Sequence, residues 1–380
     1  MKARVIAFYL PQFHPTEINN KYWGKGFTEW TNVAKAKPLF RDHYQPQIPA
    51  DLGFYDLRLP EIREAQAQMA RDCGVEGFCY WYYWFGNGRK VLDMPINEIM
   101  SLKKPDFPFC IGWANHDWSN KTWIKSSTLK KDTIFLKQEY LGKEDYKKFF
   151  YDVLPMFNDA RYIKVDDKPL FYIYSPDSIP DVSYFIEYWN KLAIQNGLKG
   201  IFFVARADSL GKAKFINDKE FMNNSLLRYN NYIGLGFNAV NSYSFRKAEV
   251  LATGYMKKRE RAIRRKIFGY ALNKHDYSKV MNNYFTDEDY LNYVFPTINP
   301  RMDKTPRAGK NALIYSNSTP NKFKSVVEKS LNIVKDKPDE YKIIFLDSWN
   351  EWGEGAYMEP DLRFGHGYLN ALKDVMFDEK

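Results

Sequence analysis

The stretch Gly200-Ile201-Phe202-Phe203-Val204-Ala205 decides the fold class, because it is apolar at nearly every position. A strand with one face in water alternates apolar and polar residues, whereas a strand buried on both faces is a continuous apolar run. Burial on both faces is typical of a parallel sheet covered by helices. The stretch therefore predicts an α/β protein.

Similar runs recur along the chain and alternate with segments of helical spacing. The predicted strands are 5–9, 77–81, 109–113, 170–174, 200–205, 237–243, 312–315 and 343–346. The predicted helices are 59–73, 91–103, 143–154, 183–196, 321–336 and 368–377. Eight such strands are what a (β/α)8 TIM barrel requires. Since no glycine-rich fingerprint follows the first strand, a barrel fits better than a doubly wound nucleotide-binding sheet.

Two connections, at about 11–60 and about 244–307, are too long for plain turns. In a barrel, long elaborated βα loops belong on the catalytic face. Neither a Ser/Gly/Pro-rich linker nor an internal repeat divides the chain. We therefore expect residues 1–380 to form a single (β/α)8-barrel catalytic domain.

Composition points to a carbohydrate partner. Aromatic residues make up 17% of the 380 residues, with 10 Trp and 28 Tyr, which is more than a core normally needs. Flat rings with an apolar face and a polar edge suit the faces and hydroxyl rims of sugars. An unusually aromatic core is the open alternative.

The formal net charge of +10 favours an anionic partner, and much of the excess lies at residues 257–266. This segment predicts a basic helix. Two interpretations are open: a solvated helix face, or weak docking onto an anionic membrane surface or an acidic glycan. We predict no nucleic-acid partner.

Three cysteines, Cys73, Cys79 and Cys110, lie in apolar surroundings, so a disulfide framework is not expected. The first apolar run is interrupted too soon for a signal peptide, and no run is long enough to span a membrane. We expect a cytoplasmic protein, although a removed signal would leave no trace. Neither metal-ligand spacing nor a serine-hydrolase elbow is present, and we predict no metal and no cofactor.

Polar and aromatic residues collect at the predicted carboxyl ends of the strands, where barrel active sites lie. Some of them have equally good structural roles: Asn115, His116 and Asp117 could form a network at the barrel rim, and alternate aromatic residues of the second strand must face its wall. The predicted substrate-binding residues are His14, Trp81, Tyr83, Trp84, Asn115, His116, Asp117, Arg206, Trp349, Asn350 and Trp352.

The eighth strand is followed by Ser348-Trp349-Asn350-Glu351-Trp352-Gly353-Glu354-Gly355. Cleavage of a glycosidic bond needs one carboxyl group to protonate the leaving oxygen and a second as base or nucleophile. Residues three apart on a helical turn have Cβ atoms about 5–6 Å apart, close enough to share a sugar ring and to drive their pKa values apart. Such a pair is common on exposed helices, but here tryptophans frame it and a buried strand precedes it. Glu351 and Glu354 are therefore the predicted catalytic residues.

Four blocks together resemble the WbsX-like family, which is often labelled glycosyltransferase and is related to glycoside hydrolase family 99, the endo-α-mannosidase group. The blocks run over nearly the whole chain: 7–14, 23–30, 77–85 and 349–361. The resemblance implies a TIM barrel without metal, often encoded with bacterial polysaccharide genes such as those for O-antigen. It also implies that Asp303 and Arg307 belong to a recurring Asp-x-Thr-Pro-Arg block, which we expect on the rim.

The resemblance to family 99 implies retaining hydrolysis in which the 2-hydroxyl of the sugar attacks C1 and forms a 1,2-anhydro sugar. Glu351 would be the base on that hydroxyl, and Glu354 the acid for the leaving group. His116 and Asp117 depart from the common family motif, which affects substrate identity more than reaction type. The leading hypothesis is a glycoside hydrolase acting on a poly- or oligosaccharide. A glycosyltransferase or transglycosylase of surface polysaccharide synthesis, and a non-catalytic glycan-binding barrel, are the alternatives.

Overall fold

The computed structural model describes residues 1–119, 134–208, 218–268 and 272–377, and within them eight parallel strands close into a barrel. The strands are β1 (Arg4–Tyr9), β2 (Gly77–Trp84), β3 (Phe109–Trp113), β4 (Lys168–Ile173), β5 (Phe202–Asp208), β6 (Ala239–Tyr243), β7 (Val294–Phe295 with Thr297–Ile298) and β8 (Ile343–Leu346). Strand β1 closes the ring, because Ile6 is in register with Gly77 of β2 and with Phe345 of β8. The predicted α/β fold, a (β/α)8 TIM barrel, is confirmed.

The prediction of the seventh strand is wrong. Residues 312–315 fall in Leu313–Ser316, which pairs with Asn273–Asp276 outside the barrel. The seventh position belongs to β7, whose first piece pairs with β6 and whose second pairs with β8. Pro296 separates the pieces because it has no N–H for the ladder, while its carbonyl still accepts a hydrogen bond from the Phe345 N–H at 2.9 Å. A run this short and interrupted does not stand out in the sequence.

Helices cover the outside of the barrel and fill the long loops. They are α1 (Glu17–Trp23), α2 (Glu29–Lys35), α3 (Pro60–Cys73), α4 (Met94–Leu102), α5 (Lys143–Phe157), α6 (Val182–Gln195), α7 (Asp218–Gly234), α8 (Phe245–Thr253), α9 (Tyr255–Phe268), α10 (Tyr277–Met281), α11 (Thr305–Ala308), α12 (Pro320–Val334) and α13 (Gly367–Met376). Gly74 ends α3 as predicted: its φ is +92°, and an added Cβ would lie 2.8 Å from the Met376 Cβ. No helix in these described ranges is long and apolar enough to cross a membrane.

Short strands outside the barrel are Lys90–Val91, Trp118–Ser119, Ile134–Leu136, Lys164–Val165, Asn273–Asp276, Leu313–Ser316, Asn350–Glu351 and Ala356–Tyr357. Aromatic rings fill the barrel interior, where Phe8 stacks on Trp81 at 4.7 Å and on Phe345 at 5.2 Å between ring centroids. The first long loop returns to the barrel through Trp30, whose ring lies 5.2 Å from that of Trp352. This contact brings the start of α2 next to the loop that follows β8.

Candidate active site

A cavity of about 450 Å³ lies at the carboxyl ends of the barrel strands, within the usual size range of small-molecule sites. Its wall combines strand ends with residues of the long loops. The lining residues used below are Gln12, Trp81, Tyr83, His116, Tyr174, Arg206, Asp208, Tyr243, Phe245, Arg246, Glu249, Lys304, Arg307, Asp347, Glu351 and Glu354. Six of the thirteen predicted site residues are among them: Glu351, Glu354, Trp81, Tyr83, His116 and Arg206.

The loop after β8 is a tight hairpin that presents both glutamates to the cavity. Glu351 ends the strand Asn350–Glu351, which pairs with Ala356–Tyr357, and Glu354 ends a single turn of 3-10 helix, Trp352–Glu354. Asn350 fixes the hairpin to β1, because its side chain accepts from the Leu10 N–H at 2.7 Å and donates to the Leu10 carbonyl at 3.0 Å. The backbone around the glutamates is therefore held on both sides.

Arg307, which we expected on the rim, lies at the centre of the site. Its guanidinium group donates to Glu351 at 2.8 Å and to Glu354 at 2.6 Å, and its side chain is only 9% exposed. Lys304 adds a second cation, 2.6 Å from the other carboxylate oxygen of Glu354. The Asp-x-Thr-Pro-Arg block thus supplies the positive charge of the site, and Asp303 binds His43 at 2.7 Å just behind it.

Glu29 is a third glutamate in this cluster that sequence reasoning missed. It is fully buried and accepts a hydrogen bond from Arg307 Nε at 2.9 Å. It packs so closely on the hairpin that a Cβ on Gly353 would lie 1.5 Å from its Oε1 atom. One feature of the sequence could have identified Glu29: it lies in the 23–30 block, one of the four blocks that carry the family resemblance.

The two predicted catalytic glutamates differ in protonation. Burial raises the pKa of Glu351, and the neighbouring Glu354, Glu29 and Asp347 add to the rise, against the opposing effect of Arg307. Burial acts on Glu354 too, but Lys304 and Arg307 outweigh it and lower its pKa. These opposite directions favour an ionised Glu354 and a protonated Glu351. This is the reverse of the protonation that the resemblance to family 99 implies.

Arg206 forms the opposite part of the wall, in an aromatic sandwich. Its guanidinium carbon lies 4.4 Å from the ring centre of Tyr174 and 3.9 Å from that of Tyr243. Tyr243 donates to Asp347 at 2.9 Å, and Asp347 follows directly after β8. Asp208, Asp347 and the two tyrosines are not among the predicted site residues. Stacking fixes the guanidinium plane and leaves its N–H edge for hydrogen bonds within the cavity.

The aromatic wall consists of Trp81, Tyr83 and His116. Trp81 packs edge-on against Tyr174 at 5.5 Å between centroids, and His116 lies 5.1 Å from the same ring. The His116 side chain is exposed to the cavity, and partial desolvation there, followed by the charge of Arg206, lowers its pKa. His116 is thus a neutral imidazole at neutral pH, suited to hydrogen bonding rather than to charge pairing.

The structure does not bring the other seven predicted residues to the cavity wall. Strand alternation turns Trp84 outward onto Phe149, 4.8 Å away, because Tyr83 already faces the cavity. Trp352 stacks on Tyr357 at 3.7 Å and donates to Glu359 at 2.6 Å, as part of the frame behind the hairpin. Buried or loop-fixing positions account for the rest: His14, Asn115, Asp117, Trp349 and Asn350.

Asn115, a polar residue at the end of a barrel strand, joins two parts of the backbone. Its amide donates to the Ser175 carbonyl at 2.8 Å and accepts from the Ser175 N–H at 2.8 Å, which ties the β3 and β4 ends together. Asp117 accepts from the Gln138 N–H at 2.7 Å. Within the described part of the chain, no group of three or more His, Cys, Asp or Glu side chains is arranged to hold a metal ion.

Comparison with known proteins gives a family and a fold. The sequence model of the family described as glycosyltransferase WbsX matches residues 5–372. Two curated relatives come from two strains of Xanthomonas campestris pv. campestris, and both are described as uncharacterized protein WxcX. They are 30% and 29% identical to this chain over 377 residues. The match covers 99% of this chain and 50% of each relative, so the chain spans about half the length of the curated relatives it matches.

Among solved structures, a glycoside hydrolase-like protein superposes with a TM-score of 0.58 at 15% identity, over 99% of this chain and 94% of that one. A GH99 endo-alpha-mannosidase from Bacteroides thetaiotaomicron gives a TM-score of 0.49 at 15% identity, over 98% and 95% of the two chains. The first of these similarities supports the barrel fold. The family match over nearly the whole length shows that this chain belongs to the glycosyltransferase WbsX family.

Proposed function

We propose that the chain is a glycoside hydrolase that cleaves a glycosidic bond of an oligo- or polysaccharide with Glu351 and Glu354. The observation that carries the proposal is a pair of carboxyl groups that share the Arg307 guanidinium in one cavity and have pKa values shifted in opposite directions. Two titratable groups whose environments separate their pKa values are the usual mark of an acid and base pair.

We assign the roles from the charges that surround the two carboxyl groups. Glu354, paired with Lys304 and Arg307, is the base, and Glu351 is the acid. In the first step Glu351 donates its proton to the leaving oxygen while Glu354 removes the proton of the 2-hydroxyl, whose oxygen attacks C1 and gives a 1,2-anhydro sugar. In the second step the Glu351 carboxylate deprotonates a water that attacks C1, and protonated Glu354 returns its proton to the 2-oxygen. The anomeric configuration is retained.

The cavity wall supports a sugar as ligand. Trp81 and Tyr83 offer ring faces and edges, while Arg206 and His116 offer polar atoms. Such convergence of a few polar groups on an aromatic wall suits carbohydrates. The glycoside hydrolase-like neighbour with the same fold agrees with the proposal, as fold similarity alone.

A glycosyltransferase is the second candidate, and the description of the matched family favours it. Transfer would use the same acid and base but deliver the glycosyl unit to a sugar hydroxyl instead of water. The two candidates differ in the acceptor and in the need for an activated donor, so they give different products.

The test is incubation with a panel of bacterial glycans in ¹⁸O-water, with mass spectrometry of the products. Hydrolysis puts one ¹⁸O atom at each new reducing end, and Glu351→Gln and Glu354→Gln abolish the products. Glu187→Gln, on the exposed face of α6, is the matched control and should leave them unchanged. Cleavage by both active-site variants at the wild-type rate contradicts the proposal, and products that need a sugar nucleotide assign the transferase.

A further inference from the structure

Helix α9, the basic helix predicted from residues 257–266, contacts the rest of the protein through a narrow side. Arg261 makes that contact: it donates to Asn273 Oδ1 at 2.8 Å and to the Lys274 carbonyl at 2.6 Å. Every other side chain that the structure describes on this helix is exposed. A helix of this length gains most of its stability from packing an apolar face, so an exposed helix needs another surface to pack against.

The exposed side of α9 carries an apolar stripe. Met256, Ile263 and Ile267 are spaced by seven and four residues, which places them on one face of the helix. Their exposed fractions are 84%, 51% and 67%; Phe268, about 100° around the helix from Ile267, is 66% exposed. Single exposed apolar residues are ordinary, but three large ones on one helix face, with Glu260 at the edge between Met256 and Ile263, are typical of an interaction surface.

Basic residues flank this stripe on both sides. At about 100° per residue, Arg259 and Lys266 fall on one side of the stripe, and Lys257 and Arg264 on the other. Glu260 is the acidic residue within the helix, and it pairs with Arg264 at 2.9 Å. An apolar stripe between two basic flanks is the pattern of helices that lie in a membrane interface.

We propose that α9 docks onto a bilayer that contains anionic lipids, with Met256, Ile263 and Ile267 between the headgroups and the basic flanks against their negative charges. An acidic glycan would be bound by the cations alone and would leave the apolar stripe in water. A lipid surface satisfies both parts of the pattern, since it offers negative charge outside and hydrocarbon beneath.

The position of α9 gives the docking a consequence for the substrate. Helix α8, separated from α9 by Gly254, contributes Phe245, Arg246 and Glu249 to the cavity wall. Docking would therefore hold the cavity close to the lipid surface. On the proposed function, on which this extension rests, the substrate class is a glycan attached to a membrane lipid. Vesicle binding needs no turnover, so docking and hydrolysis are tested separately.

The experiment is co-sedimentation of the whole protein with phosphatidylcholine vesicles, with and without phosphatidylglycerol, at low and high NaCl concentrations. We expect binding to the anionic vesicles at low salt and loss of binding at high salt. Ile263→Ser with Ile267→Ser should weaken binding at least about tenfold, because it removes the inserted apolar area. Arg259→Gln with Lys266→Gln should weaken it about fivefold for each lost charge.

The matched control is Ile194→Ser with Lys191→Gln on α6, where Ile194 is 65% exposed, and it should bind like the wild type. Circular dichroism confirms that each variant is folded. Absence of binding at low salt, or equal binding by the two-isoleucine variant, overturns the proposal. Binding to polygalacturonate that the isoleucine changes leave unaltered, without binding to vesicles, assigns the surface to an acidic glycan instead.

Discussion

Arg301 and Arg307 lie six residues apart, and both guanidinium groups are buried beside carboxylates, but their charges are balanced differently. Arg301 pairs with Asp361 at 2.5 Å, one cation with one anion, and stacks on Tyr357 at 3.7 Å. Arg307 and Lys304 together face three glutamates. The balanced pair can only hold the structure together. The unbalanced cluster favours one protonated carboxyl group, which is what acid catalysis needs.

The largest expected effect tests which glutamate carries the proton. With an aryl glycoside whose leaving group needs no protonation, Glu351→Gln should release the leaving group in the first turnover at close to the wild-type rate, because the acid is dispensable in that step and Glu351 is needed again only as the base for water. Glu354→Gln should lose about 10³-fold in kcat on every substrate, since the base is still required. Single-turnover rates of leaving-group release on matched activated and natural leaving groups give the answer. The opposite ranking would restore the roles implied by the family 99 resemblance.

Removal of the balanced cation should act on stability. Arg301→Ala leaves Asp361 buried without its guanidinium partner, and we expect a loss of about 3–5 kcal/mol in the free energy of unfolding. Urea denaturation measures it. Arg363→Ala, an exposed arginine of the same region, is the matched control and should change stability by less than about 0.5 kcal/mol. Equal losses in both variants would show that the pair is not the cause.

Gly353→Ala tests whether the unbalanced cluster depends on close packing. The new Cβ would meet Glu29, which must move and take Arg307 with it. A displacement of about 1 Å at the acid and base costs about 100-fold in rate. Gly234→Ala is the control, since nothing lies within 4 Å of a Cβ there. Activity of Gly353→Ala within twofold of wild type would mean that Glu29 does not position the site.

The smallest effect concerns pH. Glu351 must be protonated for the first step, so activity should fall as the pH rises through its raised pKa. Glu29 helps to raise that pKa by charge repulsion; Glu29→Gln should therefore move the alkaline limb of the pH–rate profile to lower pH, with kcat changed less than about tenfold. Profiles of kcat for the two proteins measure the shift. A limb that stays in place would indicate that Glu29 is uncharged.

The barrel could be predicted from sequence because six of its strands contain apolar runs of four or more residues, and β6 contains the shorter run Ala239-Val240. Strand β7 could not, since Pro296 interrupts it and the apolar run at 312–315 is a better sequence match. Several site residues were predicted wrongly because the sequence does not show which way each side chain points. Trp81 and Trp84 are equally aromatic and lie on one strand, but alternation sends one to the cavity and the other to α5.

The two glutamates could be located from their place after a buried strand. The residues that surround them in the folded protein could not be predicted. Glu29, Lys304 and Arg307 come from loops far apart in sequence, and only closure of the barrel brings them together. Their charges decide which glutamate holds the proton. Spacing alone carries no such information, and the roles inferred from the resemblance are opposite to those that the pKa directions of the two glutamates favour.

The Asn350 amide, which binds both backbone groups of Leu10, joins the last strand of the barrel to the first. During synthesis, the ribosome must therefore complete nearly the whole barrel before these two hydrogen bonds can form. Glu351 and Glu354 follow Asn350 directly in the sequence, so the two glutamates and the amide that aims them are made together, after Lys304 and Arg307. A nascent or truncated chain is expected to be inert toward glycans, so that catalytic competence appears only with complete translation of the barrel.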